Sequence, residues 1–200
     1  MQHWPMRKKR KIEIKLDEQF DKNLTIFQCI NIISIFELNY GGLVIMGIKV
    51  AKFGGSSLAD AEQFKKVRSI VMMDEERRYI VPSAPGKRHS SDHKITDLLY
   101  LCQEHAQKGI PFGEIFELIS TRYLEIVEGL GLSLDLVPIL EDIREKILGG
   151  YSAEYTASRG EYLNGLILAE YLGYEFIDPA DIIFFTQSGT YDAQATVQAV

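Results

Sequence analysis

The stretch Gly47-Ile48-Lys49-Val50-Ala51-Lys52-Phe53-Gly54-Gly55-Ser56-Ser57 decides the fold. Its first half reads as a buried strand. Apolar residues then recur at helical spacing through Leu58–Met73, with Leu58, Ala61, Phe64, Val67, Ile70 and Val71 on one face. Strand, glycine loop and helix in that order can cradle a phosphate. Glycines let the backbone turn with its N–H groups turned outward. Ser56, Ser57 and a helix N-terminus add donors and positive potential. Lys52, at the strand end, can place a point charge on phosphate oxygens. A Walker A loop is excluded, because its lysine follows the glycines, and the G-x-G-x-x-G fingerprint is absent. The plainer alternative is a glycine turn joining a strand to a helix.

Further along, strands alternate with helices, which predicts a layered α/β architecture. Tyr79–Val81 reads as a short strand ended by Pro82, and Ser83–His93 as a polar loop. Ser57 and Asp60 form a capping pair for the first helix. Thr96 caps a helix reaching about Lys108, with Gly109 and Pro111 as stop signals. Gly113–Glu128 and Leu134–Leu148 are amphipathic helices, a hairpin inserted between strands, and Ala153–Leu172 is another helix. Tyr174–Ile177 and Ile182–Phe185 read as short strands.

Composition bounds the function. Apolar residues make up 46% and charged residues 25% of 200, ordinary for a soluble globular chain. Residues 47–200 hold 15 Lys/Arg against 23 Asp/Glu, an acidic balance that argues against nucleic-acid binding. Cys29 and Cys102 lack CxxC spacing and read as structural thiols of a reduced, cytoplasmic protein. His3, His89, His93 and His105 make no metal set. His89 and His93 sit four apart, but in a Ser/Lys/Arg-rich loop.

Four segments resemble the aspartate kinases of the amino-acid kinase superfamily, in the family's order. Lys52–Ser57 (KFGGSS) resembles their opening motif. Ile80–Gly86 (IVPSAPG) resembles the second strand and its Ser-Ala loop. Lys94–Leu99 (KITDLL) resembles the Thr-containing helix start after that loop. Ser158–Glu161 (SRGE) resembles the Gly-Glu element of the substrate-binding helix. The likeness runs from Met46 to about Val200. It implies the amino-acid kinase fold, a mostly parallel sheet with helices on both faces. It also implies ATP-dependent phosphorylation of the β-carboxylate of L-aspartate, with Mg2+ as the companion ion. The implied roles are as follows. Lys52 stabilises the transferring phosphate, and Gly54, Gly55, Ser56 and Ser83 donate to phosphate oxygens. Thr96 and Arg159 contact aspartate, and Glu161 receives its α-ammonium group. No metal ligand is identified. Ser83 also fits a plain turn serine, Thr96 a plain helix cap, and Arg159 an ion pair with Glu161 or Asp97.

The resemblance leaves residues 1–45 outside the fold. Arg7–Lys11 (RKKRK) is a basic cluster, and the apolar run Leu24–Leu38 is interrupted by Gln28, Asn31 and Ser34, too short and polar to span a bilayer. Acidic residues between the two and the lack of a small-residue cleavage site exclude a secretory signal. Met46 is the expected native start, with Gly41-Gly42 encodable as a ribosome-binding site. The family's Gly-Arg-Gly-Gly-Ser-Asp element and adenine region are absent from the 200 residues. The match is therefore to the amino-terminal part of the catalytic domain, truncated at the C-terminus. Exposed strand edges and poor solubility are expected of the isolated chain, and a homo-oligomer of the full-length protein. Two alternatives stay open. One is another amino-acid kinase, acting on glutamate, acetylglutamate, carbamate or a nucleotide. The other is an inactive fragment serving as a binding or dimerisation module.

Overall fold

The computed structural model describes residues 47–199. The expected N-terminal extension, its basic cluster, its apolar run and the Met46 start lie outside the described residues.

Among the described residues, two parallel strands form the sheet, β1 (Lys49–Phe53) and β2 (Arg77–Pro82). Parallel neighbours require a crossover, which is supplied by a 3-10 turn (Gly55–Leu58) and helix α1 (Ala61–Met72). The register pairs Val50 with Tyr79 and Phe53 with Pro82, and it slips once, between Lys49 and Val50. Pro82 has no N–H to give the ladder, so it fits only at the strand end. Ser83 N–H resumes the pattern by donating to the Phe53 carbonyl at 3.0 Å.

The first helix starts later than its apolar spacing suggests. Leu58 and Ala59 are buried, but Asp60 is the N-cap, its Oδ1 accepting from Gln63 N–H at 2.9 Å. Ser57 takes no part in the cap. The residue belongs to the preceding 3-10 turn, where Ser57 N–H donates to the Gly54 carbonyl. Asp60→Ala should lower stability by about 1 kcal/mol, measured as a shift in the urea unfolding midpoint at constant m-value.

Four longer helices follow: α2 (Ile95–Gln107), α3 (Gly113–Leu130), α4 (Val137–Leu148) and α5 (Ala153–Leu172). Helix α5 is central. It packs against β2 and against α1 to α4, so its buried positions run almost all round it. Ile95 and Leu99 of α2, Ile119 and Tyr123 of α3, Ile143 and Ile147 of α4, and Leu163 and Ile167 of α5 are fully or almost fully buried in one core. Burying side chains of this size contributes about 1.5–3 kcal/mol each. Phe53 and Ile80 attach the sheet to this core. Cys102 lies in it, and burial pushes its thiol up to about 12, which keeps it protonated and inert.

The architecture is α/β, a small parallel sheet on a mostly helical body. The two strands expected after α5 are absent. Residues 174–178 are irregular, and Pro179–Ile182 is a short helix, α6. Asp178 caps it through Ala180 N–H at 2.9 Å, and Pro179 occupies the first helical position. That pairing starts a helical turn, which takes Ile182 out of the expected second strand. The Phe185–Tyr191 bridge is antiparallel and closes a turn, before helix α7 (Ala193–Ala199). Among the described residues, no helix is long and apolar enough to cross a membrane.

Candidate active site

The loops that leave β1 and β2 meet backbone to backbone. Gly86 N–H donates to the Gly55 carbonyl at 2.8 Å. A Cβ on Gly86 would stand 2.7 Å from the Gly55 carbonyl carbon and 2.8 Å from Ser56 N. A Cβ on Gly55 would stand 2.8 Å from the Ala84 carbonyl oxygen. Neither glycine has positive φ. Close approach, and not an unusual turn, is what these two positions require. Gly54 differs: its φ of −76° and ψ of 166° are ordinary, and a Cβ there meets nothing within 4 Å.

Between the joined loops lies a cleft of about 450 Å3, at the carboxyl ends of the parallel strands. This is where α/β proteins place ligands. Five residues picked from the sequence line it: Gly55, Ser56, Ser83, Thr96 and Glu161. Helix α5 clamps the floor. Glu161 Oε1 accepts from Ala84 N–H at 3.2 Å, and Asn164 Nδ2 donates to the Ser83 carbonyl at 2.7 Å. Gly160 makes this possible, since a Cβ there would fall 2.7 Å from the Ala84 Cβ. Its carbonyl accepts from the Tyr123 hydroxyl at 2.8 Å. Burial, then the Glu161 charge, holds the Tyr123 phenol well above its ordinary pKa, so it remains a neutral donor.

Thr96 lies inside α2, one residue beyond its first. The N-cap is Lys94, and no side chain caps the helix. The start is fixed instead by Ile95 N–H donating to the Pro85 carbonyl at 3.2 Å. The Thr96 hydroxyl is thus no cap, and the residue lines the cleft.

Three picked residues lie off the lining. Lys52 is exposed near the end of β1, opposite Val81 in the ladder. Gly54 immediately precedes the lining residues. Arg159 sits between two aromatic rings, 4.5 Å from the Tyr155 centroid and 4.6 Å from that of Tyr162, and donates to Ser158 Oγ.

The structure adds Lys87 and Lys94 to the lining. The only sequence signal for them is a lysine at each end of a Gly/Ser-rich loop. It also adds a buried pair beneath the loop. Arg122 and Asp92 are 4% and 8% exposed, and Arg122 Nη2 donates to both Asp92 carboxylate oxygens at 2.7 Å. Burial alone would raise the Asp92 pKa. Hydrogen bonds from the Arg88 side chain and backbone and from His93 N–H, with the Arg122 charge, outweigh it and hold the carboxyl far below the usual range. Arg122 was detectable as a charge on an apolar stripe, falling between Ile119 and Ile126 on the buried face of α3.

Chemically, the cleft offers two ammonium groups, three hydroxyls, close backbone and one carboxylate. Such a lining suits an anionic ligand that also carries an amine. A divalent ion has less to bind. Glu161 is the one carboxylate in the lining, and among the described residues no group of three or more His, Cys, Asp or Glu is placed to hold a metal.

Comparison with known proteins places the chain. No protein-family model matches it. It is 34% identical over 158 residues to aspartokinase 3 of Bacillus subtilis, a match covering 74% of this chain and 35% of the relative. The solved aspartate kinase of Clostridium acetobutylicum superposes with a TM-score of 0.73 at 56% identity, over 76% of this chain and 35% of that one. Escherichia coli aspartokinase III, solved with aspartate and ADP, superposes with a TM-score of 0.60 at 25% identity, over 75% and 36%. The chain spans about a third of the length of the relatives it matches. Over that third, in both sequence and fold, the chain matches the aspartokinases.

Proposed function

We propose that the cleft is the phosphoryl-transfer site of an aspartate kinase, which converts ATP and L-aspartate to ADP and 4-phospho-aspartate. One observation carries the reading. The two glycine loops close into a single cleft, and five residues chosen for this chemistry line it. The aspartokinase relatives support it, one of them solved with aspartate and ADP.

The chemistry asks little of acid or base groups. A free carboxylate, with a pKa near ~4, is already a nucleophile at neutral pH. A β-carboxylate oxygen attacks the terminal phosphorus, the bond from that phosphorus to the ADP oxygen breaks, and ADP leaves with its electron pair. The protein brings two anions together and spreads the developing charge. Ser56, Ser83 and the backbone at Gly54 and Gly55 hold phosphate oxygens, and Lys52 reaches in from the strand end. Thr96 contacts aspartate, and Glu161 accepts its α-ammonium group. Arg159 belongs to the substrate side in this reading, but reaching the cleft requires it to leave the two tyrosine rings. The ion expected with ATP is Mg2+. The described residues do not form a carboxylate set for it, and no step here depends on one. Cytoplasmic location and homo-oligomeric assembly of the full-length enzyme belong to the same reading.

Lys52 tests it. In the full-length protein, Lys52→Ala should lower aspartate-dependent ADP release by about 10²–10³-fold, with an unchanged far-UV spectrum and unfolding midpoint. Activity within a few-fold of the unsubstituted protein would remove Lys52 from the mechanism.

A further inference from the structure

The Ser83–Lys94 segment carries half of the cleft, yet a polar loop of this length has no reason of its own to hold one conformation. Its first part is fixed from α5, through Glu161 to Ala84 and Asn164 to Ser83. Its second part is fixed from α3. Arg122 Nη1 donates to the Gly86 carbonyl at 3.1 Å, while its Nη2 grips Asp92. Asp92 Oδ2 in turn accepts from Arg88 N–H at 2.9 Å and Arg88 Nε at 3.0 Å, which folds the loop back on itself. Arg88 Nη1 then reaches Glu125, one turn along α3 from Arg122, at 3.0 Å.

Gly86 is therefore held through both of its flanking peptide groups. Its N–H is bound to Gly55 of the first loop and its carbonyl to a buried guanidinium. Lys87 follows directly, and it lines the cleft. Burying a charged pair gives little net stability compared with apolar residues of the same volume. Its planar, two-pronged geometry does fix orientation. Arg122 Nε is buried with no hydrogen-bond partner among the described residues, so the guanidinium's hold on the loop runs through Nη1 and Nη2.

We propose that Arg122, acting through Asp92 and the Gly86 carbonyl, is a positioning residue that sets the second glycine loop and Lys87 against the phosphate-holding half of the cleft. The proposal rests on the phosphoryl-transfer reading for its enzymatic consequence, and on loop geometry alone for its structural one.

The test uses the full-length protein with Arg122→Lys, which keeps the charge and loses the fork, and Asp92→Asn, which keeps the shape and loses the charge. Arg88→Gln serves as a partly exposed comparison. Amide hydrogen exchange, tripolyphosphate affinity and steady-state kinetics are read on each. Positioning predicts at least tenfold faster exchange at Gly86–Arg88 in Arg122→Lys, with Leu163–Leu168 unchanged. It predicts at least tenfold weaker tripolyphosphate binding and a KM for ATP raised by a similar factor. The KM for aspartate should move less than threefold, because Glu161 and Thr96 are carried on helices α5 and α2 and not on the Gly86–Arg88 segment that Arg122 and Asp92 hold. If variants that remain folded keep the exchange, tripolyphosphate affinity and KM for ATP of the unsubstituted protein, the pair is only structural and the proposal fails. An unsubstituted protein without kinase activity would refute the phosphoryl-transfer reading. Exchange and tripolyphosphate binding would still decide the positioning role, loosening and weakening together supporting it and no change overturning it.

Discussion

Gly86→Ala should abolish the cleft's function while Gly54→Ala leaves it almost intact. The added methyl at position 86 meets the Gly55 carbonyl carbon at 2.7 Å, Ser56 N at 2.8 Å and the Gly55 oxygen at 2.9 Å. All three are backbone, so no side chain can swing aside. The two loops must separate by roughly half an ångström or more, and the 2.8 Å bond between Gly86 N–H and the Gly55 carbonyl stretches or breaks. Misplacement of about 1 Å at a reacting site can cost ~10²-fold in rate, and overpacking typically costs about 1–3 kcal/mol of stability. Gly55→Ala should behave alike, since its methyl meets Ala84 oxygen at 2.8 Å. At Gly54 the backbone is ordinary and the space open, so alanine should change kcat/KM by no more than a few-fold. Steady-state kinetics of the three variants check the ordering. Equal losses at 54 and 86 would mean that flexibility, and not contact between the loops, is what the glycines provide.

The second large effect is on stability. Arg122→Met removes a guanidinium that is 4% exposed and leaves Asp92 buried with only Arg88 to balance its charge. Breaking a buried pair from one side typically costs about 3–5 kcal/mol. Arg88 keeps part of the compensation, so the lower end is expected, about 3 kcal/mol. Urea unfolding at neutral pH measures it. The acid limb carries a signature of its own. The folded pKa of Asp92 lies below its unfolded value, so its contribution is present above about pH 4 and is lost as pH falls below that. Asp92→Asn should therefore be less stable than the unsubstituted protein at pH 7, and the gap should narrow steadily below pH 4. A gap that stays constant with pH would show that the loss in Asp92→Asn does not come from the charge of the carboxylate.

The parts of this molecule legible in sequence are those governed by local period and capping. Helix α5 occupies Ala153–Leu172 as read, because Ser152 caps one end through Tyr155 N–H and Gly173 takes the left-handed φ of 69° at the other. Both strands and the loops after them were readable from apolar runs ended by Gly and Pro. The polar residues misled wherever a tertiary contact decided the outcome. Thr96 looked like a cap, yet the start of α2 is set by Pro85, a residue of the neighbouring loop. The glycines of the first loop looked alike, but only Gly55 faces another backbone. Arg122 and Asp92 lie thirty positions apart, a separation no periodicity connects. Arg159 looked available to a carboxylate, while the tyrosines at helical spacing on either side of it enclose its guanidinium. The apolar segments after α5 suggest strands because a short apolar run has no period that separates strand from helix.

The most direct test of the whole account is product formation by the full-length protein. It should be incubated with ATP, Mg2+ and L-aspartate in the presence of hydroxylamine, which traps an acyl phosphate as the hydroxamate. Glutamate, N-acetylglutamate and carbamate serve in parallel. The account predicts aspartate hydroxamate formed in step with ADP, and little product from the other three. No hydroxamate with aspartate, or faster turnover of another acceptor, would contradict it.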